Sequence, residues 1–194
     1  MNIPFNVMSA SDPNYKCCRM LSSSNNRTKV PTHWHRDLEA QIAGKACLRH
    51  PFASGCDPSP VHVDVGICGT PCHPFSTQRA GRFEPGSVEA HHECDIALGQ
   101  FIRWLARFQP SVQIFEQVMG FTMPFTKGGS YTPLQRLKEL LQQQTFQGGG
   151  YWLVTKNLDM RIWLAISRPR RKLLLVSLSL PGPRINAYGA WIRA

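Results

Sequence analysis

Hydrophobic and polar residues follow two different periods along this chain, and each period predicts one kind of element. Residues 61–68, VHVDVGIC, alternate apolar and polar side chains, which is typical of a strand. In residues 94–108 the apolar side chains recur at helical spacing instead, and Pro110 closes that segment. The positions that share this helical face are Leu98, Phe101, Ile102, Leu105 and Phe108.

Further predicted strands and helices alternate with these two. A helix is expected from near Asn14. Thr132 as an N-cap, Pro133 at the first helical position and Gln135 at the third predict a second helix. Apolar runs that predict strands occupy residues 3–10, 28–38, 112–116, 148–155 and 172–180. Alternation of strands and helices indicates an α/β fold with a mostly parallel sheet.

Reactive or polar side chains follow the ends of several predicted strands. Asp12, Asp37, Cys72 and Glu116 each come just after such an end. Ligands of parallel sheets bind at the carboxyl ends of the strands, so the four side chains are expected at one edge of the sheet. Taken singly, each position has a simpler interpretation, because strand ends run into loops and loops carry polar residues.

The charge of the chain favours polyanionic partners without choosing among them. Lys and Arg number 22 against 12 Asp and Glu, which gives a net charge of +10 over 194 residues. Nucleic acid fits this balance, and so does a merely basic surface. The one dense basic cluster consists of Arg168, Arg170, Arg171 and Lys172.

Cysteine usage and hydropathy predict an intracellular protein. The seven cysteines contain no Cys-x-x-Cys pair and do not resemble a disulfide framework. No secretory signal and no apolar stretch long enough for a membrane span is visible, so no membrane partner is expected. The thiols are then expected to be reduced and free to react.

Cys72 has the most reactive setting of the seven cysteines. Pro71 and Pro74 stiffen the backbone on either side of it, and it follows the predicted strand 61–68. A helix that begins close by would lower the pKa of its thiol. A buried structural cysteine is the simpler interpretation, but a thiol and the carboxylate of Glu116 on neighbouring strand ends also form a plausible pair for covalent catalysis.

Three segments, in this order, resemble the DNA (cytosine-5) methyltransferases. They are VDVGICGTPCHPFSTQ, VQIFEQVMGF and ISRPRRKLLLV. In that family a Pro-Cys loop after a strand carries the nucleophile, a later strand ends in Glu-Asn-Val, and an arginine segment leads into another strand. The similarity covers roughly residues 5–180, and it implies a Rossmann-like class I methyltransferase core.

The resemblance also implies a role for each matching residue. Cys72 would be the nucleophile that attacks C6 of cytosine, and Glu116 would hydrogen-bond the N3 side of the ring. Arg168 and Arg170, or Arg171 in a register shifted by one residue, would contact phosphate or the base. The implied contacts to S-adenosylmethionine are Asp12 at the ribose, Asp37 at the adenine, and Pro71. The implied partner is DNA with its target base flipped out, and the implied location is intracellular, nuclear in a eukaryote.

Several positions depart from the family pattern. Thr70 replaces the usual Pro, His73 the usual Gln, and Gln117 the usual Asn, and no Gln precedes the arginines. The similarity begins at the family's second strand and ends soon after the arginine segment. We therefore expect residues 1–194 to form a single, partial catalytic domain that lacks the first cofactor-loop strand and the target-recognition region.

Three other functions compete with DNA methylation. One is a catalytically silent, basic nucleic-acid-binding relative, and another is an RNA cytosine-5 methyltransferase. The third is a zinc-binding interaction module, although the cysteine spacing is not that of a standard zinc motif. Its candidate ligands are Cys68, Cys72, His73, His91, His92 and Cys94.

Overall fold

A computed structural model describes residues 5–23, 30–45, 47–51, 63–159, 161, 169–177 and 190–193. The chain divides into two compact units, Met1–Val61 and His62–Ala194. The single domain predicted over 1–194 stays a prediction, because two compact units can belong to one domain. Among the described helices, none is long and apolar enough to cross a membrane.

The first unit contains a small parallel sheet and two helices. Strand β1 (Ser9–Ser11) leads into helix α1 (Tyr15–Ser23), and strand β2 (His33–His35) leads into helix α2 (Leu38–Ile42). The two strands pair in parallel with Ser9 opposite His33 and Ser11 opposite His35. Both strands and α1 lie where the sequence predicts them, whereas α2 was not predicted.

The second unit is built on one mixed sheet of five strands. Strands β3 (Val65–Cys68), β4 (Val112–Gln117), β5 (Gly150–Asp159), β6 (Pro169–Ser177) and β7 (Ala190–Arg193) pair in the order β3-β4-β6-β5-β7. Only β3 and β4 are parallel in this sheet, and the other three pairings are antiparallel. The α/β class is therefore confirmed, while the mostly parallel arrangement holds only for β1–β2 and β3–β4. Strand β7 was not predicted.

The core lies between one face of this sheet and its helices. Helix α3 (Phe101–Phe108), which continues a π-helical turn at Ile96–Gln100, and helix α4 (Pro133–Gln142) supply buried apolar residues to it. The predicted capping box of α4 is present, with the Gln135 N–H donating to Thr132 Oγ1 at 3.1 Å. From the sheet the core receives Phe115, Tyr151, Leu153, Leu173 and Leu175.

Burial in β3 is the reverse of what the alternating pattern predicts. Val65 and Ile67 are 53% and 78% exposed, whereas Gly66 and Cys68 face the core. A Cβ at Gly66 would overlap the side chains of Gln113 and Trp104, so only glycine allows this close approach. Because β3 is an edge strand, its apolar side chains remain exposed on the opposite face.

Candidate active site

The loop after β3 holds Cys72 at the surface by burying its neighbours. Cys72 itself is half-buried and precedes a single 3-10 turn, His73–Phe75, in which the Phe75 N–H donates to the Cys72 carbonyl at 3.1 Å. Pro74 and Phe75 are buried, and Phe75 packs edge-on against Phe121 with ring centroids 5.0 Å apart. The thiol therefore lies on a loop whose backbone is fixed on its C-terminal side by the core.

A buried side-chain contact ties the N-terminal side of this loop to strand β4. Gln117 Nε2 donates to Thr70 Oγ1 at 2.8 Å and to the Thr70 carbonyl at 3.2 Å, and both residues are buried. These are two of the three loop and strand positions that depart from the family pattern. The two side chains contact each other, so each satisfies buried hydrogen-bonding groups of the other.

Two further residues position the turn at Met119–Thr122, on which the cysteine loop packs. A Cβ at Gly120 would overlap the Phe75 carbonyl, so the two backbones approach closely only because residue 120 is glycine. Arg82 is 1% exposed, and its guanidinium donates to the Phe125 carbonyl at 3.0 Å and the Gly120 carbonyl at 3.3 Å. Sequence analysis missed Arg82, since a single arginine in a Gly- and Pro-rich loop carries no pattern.

Glu116 lies beside the cysteine loop, and it is part of strand β4 itself. The sequence placed it just past a strand end, whereas β4 continues to Gln117, so that expectation is wrong by a residue or two. In the parallel register Cys68 is opposite Phe115, which brings Gly69 level with Glu116. A Cβ at Gly69 would lie 3.6 Å from Glu116 Oε2. Glu116 and the loop that carries Cys72 therefore share one edge of the sheet, as predicted. The prediction that Asp12 and Asp37 lie at this same edge is wrong, because both follow strands of the separate two-stranded sheet.

Two cations from β6 pair with the Glu116 carboxylate. Arg170 Nε lies 3.0 Å and Lys172 Nζ 3.9 Å from Glu116 Oε1. Lys172 is directly opposite Glu116 in the antiparallel register, and Arg170 follows on the same face by the two-residue repeat of a strand. The Glu116 side chain is 33% exposed, so a ligand can still reach it.

The same pairing places Arg170 and Arg171 on opposite faces of the sheet. Arg170 faces Glu116, whereas Arg171 points to the core side of the sheet and donates to Thr122 Oγ1 at 2.9 Å. Which of the two registers contacts phosphate or the base stays a prediction. Arg168 lies outside the described residues. Lys172, which the sequence analysis left without a role, was detectable because it lies two residues from Arg170 along a strand.

In the first unit, the two predicted cofactor carboxylates lie at the same end of the small sheet. Asp12 directly follows β1, and Asp37 follows β2 two residues beyond His35, which pairs with Ser11. Asp12 Oδ1 accepts the Asn14 N–H at 2.7 Å. Asp37 is the N-cap of α2, since its Oδ1 accepts the Ala40 N–H at 2.7 Å, and its Oδ2 lies 3.2 Å from Arg36 Nε.

Both carboxylates can accept further hydrogen bonds. An ionised carboxylate offers about four lone-pair sites, and each of these two uses only part of them in the contacts above. Ribose hydroxyls and an adenine amine are hydrogen-bond donors, so the chemistry of the two side chains fits the contacts that the resemblance implies. Pro71, the third implied contact, is half-buried in the second unit beside Cys72.

The zinc ligand set considered from the sequence is only partly brought together. His73 Nδ1 shares a hydrogen bond of 3.0 Å with His91 Nε2, and Glu93 Oε2 lies 3.9 and 4.0 Å from the Nδ1 atoms of the two histidines. Within the part of the chain that the structure describes, this cluster contains no cysteine. His92 stacks on His91.

The cysteines of that set do not join this cluster. Among the described residues, none of Cys68, Cys72 and Cys94 lies in a group of potential metal ligands. Burial raises the pKa of the Cys68 thiol to about 12, and burial also raises the pKa of the Cys94 thiol. The cysteine-containing zinc set is therefore not supported, and Glu93 is a potential ligand of this region that the sequence analysis missed.

No protein-family model matches the chain, and no curated protein matches it significantly.

Proposed function

We propose that this protein methylates C5 of cytosine in DNA, with S-adenosylmethionine as the methyl donor, Cys72 as the nucleophile and Glu116 as its partner on the base. The observation that carries the proposal is the shared edge of β3 and β4. These strands are parallel neighbours, the Cys72 loop follows one of them, Glu116 lies near the end of the other, and Arg170 pairs with Glu116. The start of the Cys72 loop, Glu116 and Arg170 are thus neighbours although they are distant in sequence, which supports the proposal.

The side chains at this edge suit covalent activation of a pyrimidine. The Cys72 thiolate would form an S–C6 bond, and the electron pair of the C5=C6 double bond would move toward C5 and the N3 side of the ring. Glu116, positioned by Arg170 and Lys172, would share a proton with N3, and this proton would neutralise the negative charge that develops there. C5 then becomes an enamine-like nucleophile.

The second half of the reaction releases the enzyme. S-adenosylmethionine, when bound, supplies an electrophilic methyl group, and Asp12, Asp37 and Pro71 are the residues that would hold it. Methyl transfer to C5 would release S-adenosylhomocysteine. Loss of the C5 proton to solvent water would then restore the double bond and break the S–C6 bond, and the proton shared with N3 would return to Glu116. Cys72 would leave as a thiolate, so each bond formed is matched by a bond broken over one turnover.

The DNA substrate must present an unstacked base. A cytosine inside a duplex is out of reach of a side-chain thiol, and flipping it costs a few kcal/mol. The net charge of +10 provides the attraction for the phosphate backbone that such an enzyme needs.

The experiment that tests the proposal is a covalent trap. The full chain is incubated with S-adenosylmethionine and a DNA duplex that carries 5-fluorocytosine, and the denatured mixture is analysed by mass. Fluorine at C5 cannot leave as a proton does, so an active enzyme stays bonded to the DNA. The expected result is an adduct on the peptide that contains Cys72, absent in Cys72→Ser and present in the control Cys17→Ser. Adduct formation on an RNA of the same sequence, and not on DNA, would move the proposal to RNA.

A second candidate function is nucleic-acid binding without methyl transfer. It is favoured by the pairing of Glu116 with Arg170 and Lys172, because a cytosine ring would have to compete with two cations for the same carboxylate. Binding that weakens steeply with salt, together with no adduct on DNA or RNA, would establish this function in place of the enzyme. Binding that does not change between low and moderate salt would count against any nucleic-acid role.

A further inference from the structure

A second group of reactive side chains lies in the first unit, far along the sequence from Cys72. Cys47 Sγ is 3.5 Å from His50 Nδ1 and 3.9 Å from His33 Nδ1. The two histidine rings meet edge-on, with centroids 5.3 Å apart. The three ligand atoms all lie within 4.8 Å of one another. We call these three residues the Cys47 cluster.

The backbone brings the Cys47 cluster together at three points. His33 is the first residue of β2, while Cys47 forms an isolated antiparallel bridge with His35. The Leu48 N–H donates to the Trp34 carbonyl at 2.7 Å, which fixes the segment after α2 along β2. The His50 N–H donates to the Cys47 carbonyl at 3.2 Å, so a tight turn directs both side chains of the Cys-x-x-His pair to one place.

The spacing of the ligand atoms matches a tetrahedral metal. With Zn–S near 2.3 Å and Zn–N near 2.0–2.1 Å, sulfur and nitrogen ligands of one tetrahedral zinc lie about 3.5 Å apart. The observed 3.5 and 3.9 Å separations therefore need little movement to accommodate an ion. Thiolate and imidazole are ligands that zinc prefers and that magnesium and calcium do not.

The three ligands differ in their exposure to solvent. Cys47 is 4% exposed, whereas His50 is exposed and provides a path for an ion to enter.

From this geometry we infer that His33, Cys47 and His50 form a zinc site with three protein ligands. The fourth tetrahedral position is left for water or an external ligand. A bound ion would cross-link β2 to the Cys47–His50 turn, in addition to the hydrogen bonds and the ring contact that already join them. The site is independent of methyl transfer and uses none of the residues proposed for it.

The second metal-type cluster, at His73, His91 and Glu93, is a weaker candidate. Its two histidines already hydrogen-bond each other at 3.0 Å, and it lacks a thiolate. It nevertheless requires a control, because it could bind zinc weakly through its imidazoles.

The test uses the full chain, freed of metal and kept reduced. Cobalt(II) is titrated first, because a thiolate ligand gives a near-ultraviolet sulfur-to-cobalt charge-transfer band and tetrahedral coordination gives intense visible bands. Zinc is then added to displace cobalt, and its affinity is measured against a chromophoric chelator. We expect one equivalent of cobalt with the thiolate band, displaced by one equivalent of zinc.

Matched variants assign the ligands. Cys47→Ser should abolish the thiolate band. His50→Ala should weaken zinc binding by about 10- to 100-fold or more, because loss of a ligand costs at least as much as loss of a residue that only orients one. Cys17→Ser and His91→Gln should leave both unchanged. Because Cys47 is buried and its variant could misfold, the exposed His50 decides the outcome by itself. A missing thiolate band in the unaltered protein, or zinc affinity unaltered in His50→Ala, overturns the inference.

Discussion

The two cysteines behind these proposals, Cys72 and Cys47, have opposite surroundings. Cys72 is half-buried on a loop that is fixed through other residues, namely Gln117 at Thr70, the core at Phe75 and a close approach at Gly120. Cys47 is almost fully buried and its sulfur contacts two imidazoles directly. A thiol that must meet a large external substrate needs a rigid backbone and an open side. A thiol that binds a metal needs its co-ligands instead.

Because of this contrast, substitutions in the two regions are expected to affect different activities. Changes in the residues that fix the loop should affect covalent chemistry at Cys72 and leave metal binding intact. Changes at His33 or His50 should do the opposite. The two activities can therefore be measured in the same variants, and each serves as the control for the other.

The largest expected effect is that each of the two cysteine variants loses one activity and keeps the other. Cys72→Ser should lower the rate of adduct formation with 5-fluorocytosine DNA by about 1000-fold or more, since removal of a nucleophile costs at least that much, and it should bind zinc normally. Cys47→Ser should lose the cobalt thiolate band and keep adduct formation. Loss of both activities in either variant would show that the two regions are not independent.

Replacement of Arg82 by methionine should cause the next largest effect. The change keeps most of the volume but leaves the Gly120 and Phe125 carbonyls without their charged donor. We expect the free energy of unfolding to fall by about 3 kcal/mol, because hydrogen bonds to charged groups contribute about 1.5–3 kcal/mol each. Denaturant unfolding measures the change.

A matched control for Arg82 is the exposed Arg103, which pairs with Asp95 at 3.2 Å. Arg103→Met should change stability by less than about 1 kcal/mol, as surface ion pairs do. Equal losses in the two variants would mean that Arg82 does not anchor the turn. The Arg82 variant should also slow adduct formation, while zinc affinity should stay the same.

Local signals in the sequence predicted much of the fold. The helix at Pro133–Gln142 was predictable because all residues of its capping box lie within four positions of one another in the sequence. Strands β4 and β6 were predictable because each contains an uninterrupted local pattern of apolar residues. Which face of β3 is buried was not predictable. The alternation in β3 is present, but Gly66 pairs with Gln113 and so lies on the buried face of the sheet, where Gln113 and Trp104 occupy the space that a side chain would need.

The residues of the candidate sites were also only partly predictable from the sequence. Cys72, Glu116 and Arg170 come from three short segments whose order carries information. Strand pairing brings Arg170 to Glu116 and places the start of the Cys72 loop beside them. The Cys47 cluster joins His33 of β2 to Cys47 and His50, which lie 14 and 17 residues later in the irregular segment after α2, and no strand or helix period links the three. Contacts of this kind depend on tertiary packing, so sequence patterns do not reveal them.

A smaller effect is expected from the contact between Thr70 and Gln117. A double-mutant cycle with Thr70→Val and Gln117→Met should give a coupling energy of about 1 kcal/mol, the usual net contribution of a hydrogen bond. A cycle of Gln117→Met with Thr145→Val, at an exposed position after α4, should give a coupling near zero. If the first cycle also gives none, the two departures from the family pattern are unrelated.

The last prediction needs no substitution and concerns Cys68, which lies four residues before Cys72. Cys68 is expected to react with thiol reagents far more slowly than Cys72. Burial raises the pKa of the Cys68 thiol to about 12, so this group stays protonated until the pH approaches that value. At pH 8 only about one thiol in 10,000 would be a thiolate, and the thiolate is the form that reacts. Iodoacetamide at pH 8 should therefore alkylate Cys72, which is half-buried at the surface, and leave Cys68 unmodified in peptide mass maps. In guanidinium chloride both should react, because unfolding exposes Cys68 and returns its pKa to the ordinary range. Modification of Cys68 in the folded protein as fast as that of Cys72 would show that β3 does not turn this side chain toward the core.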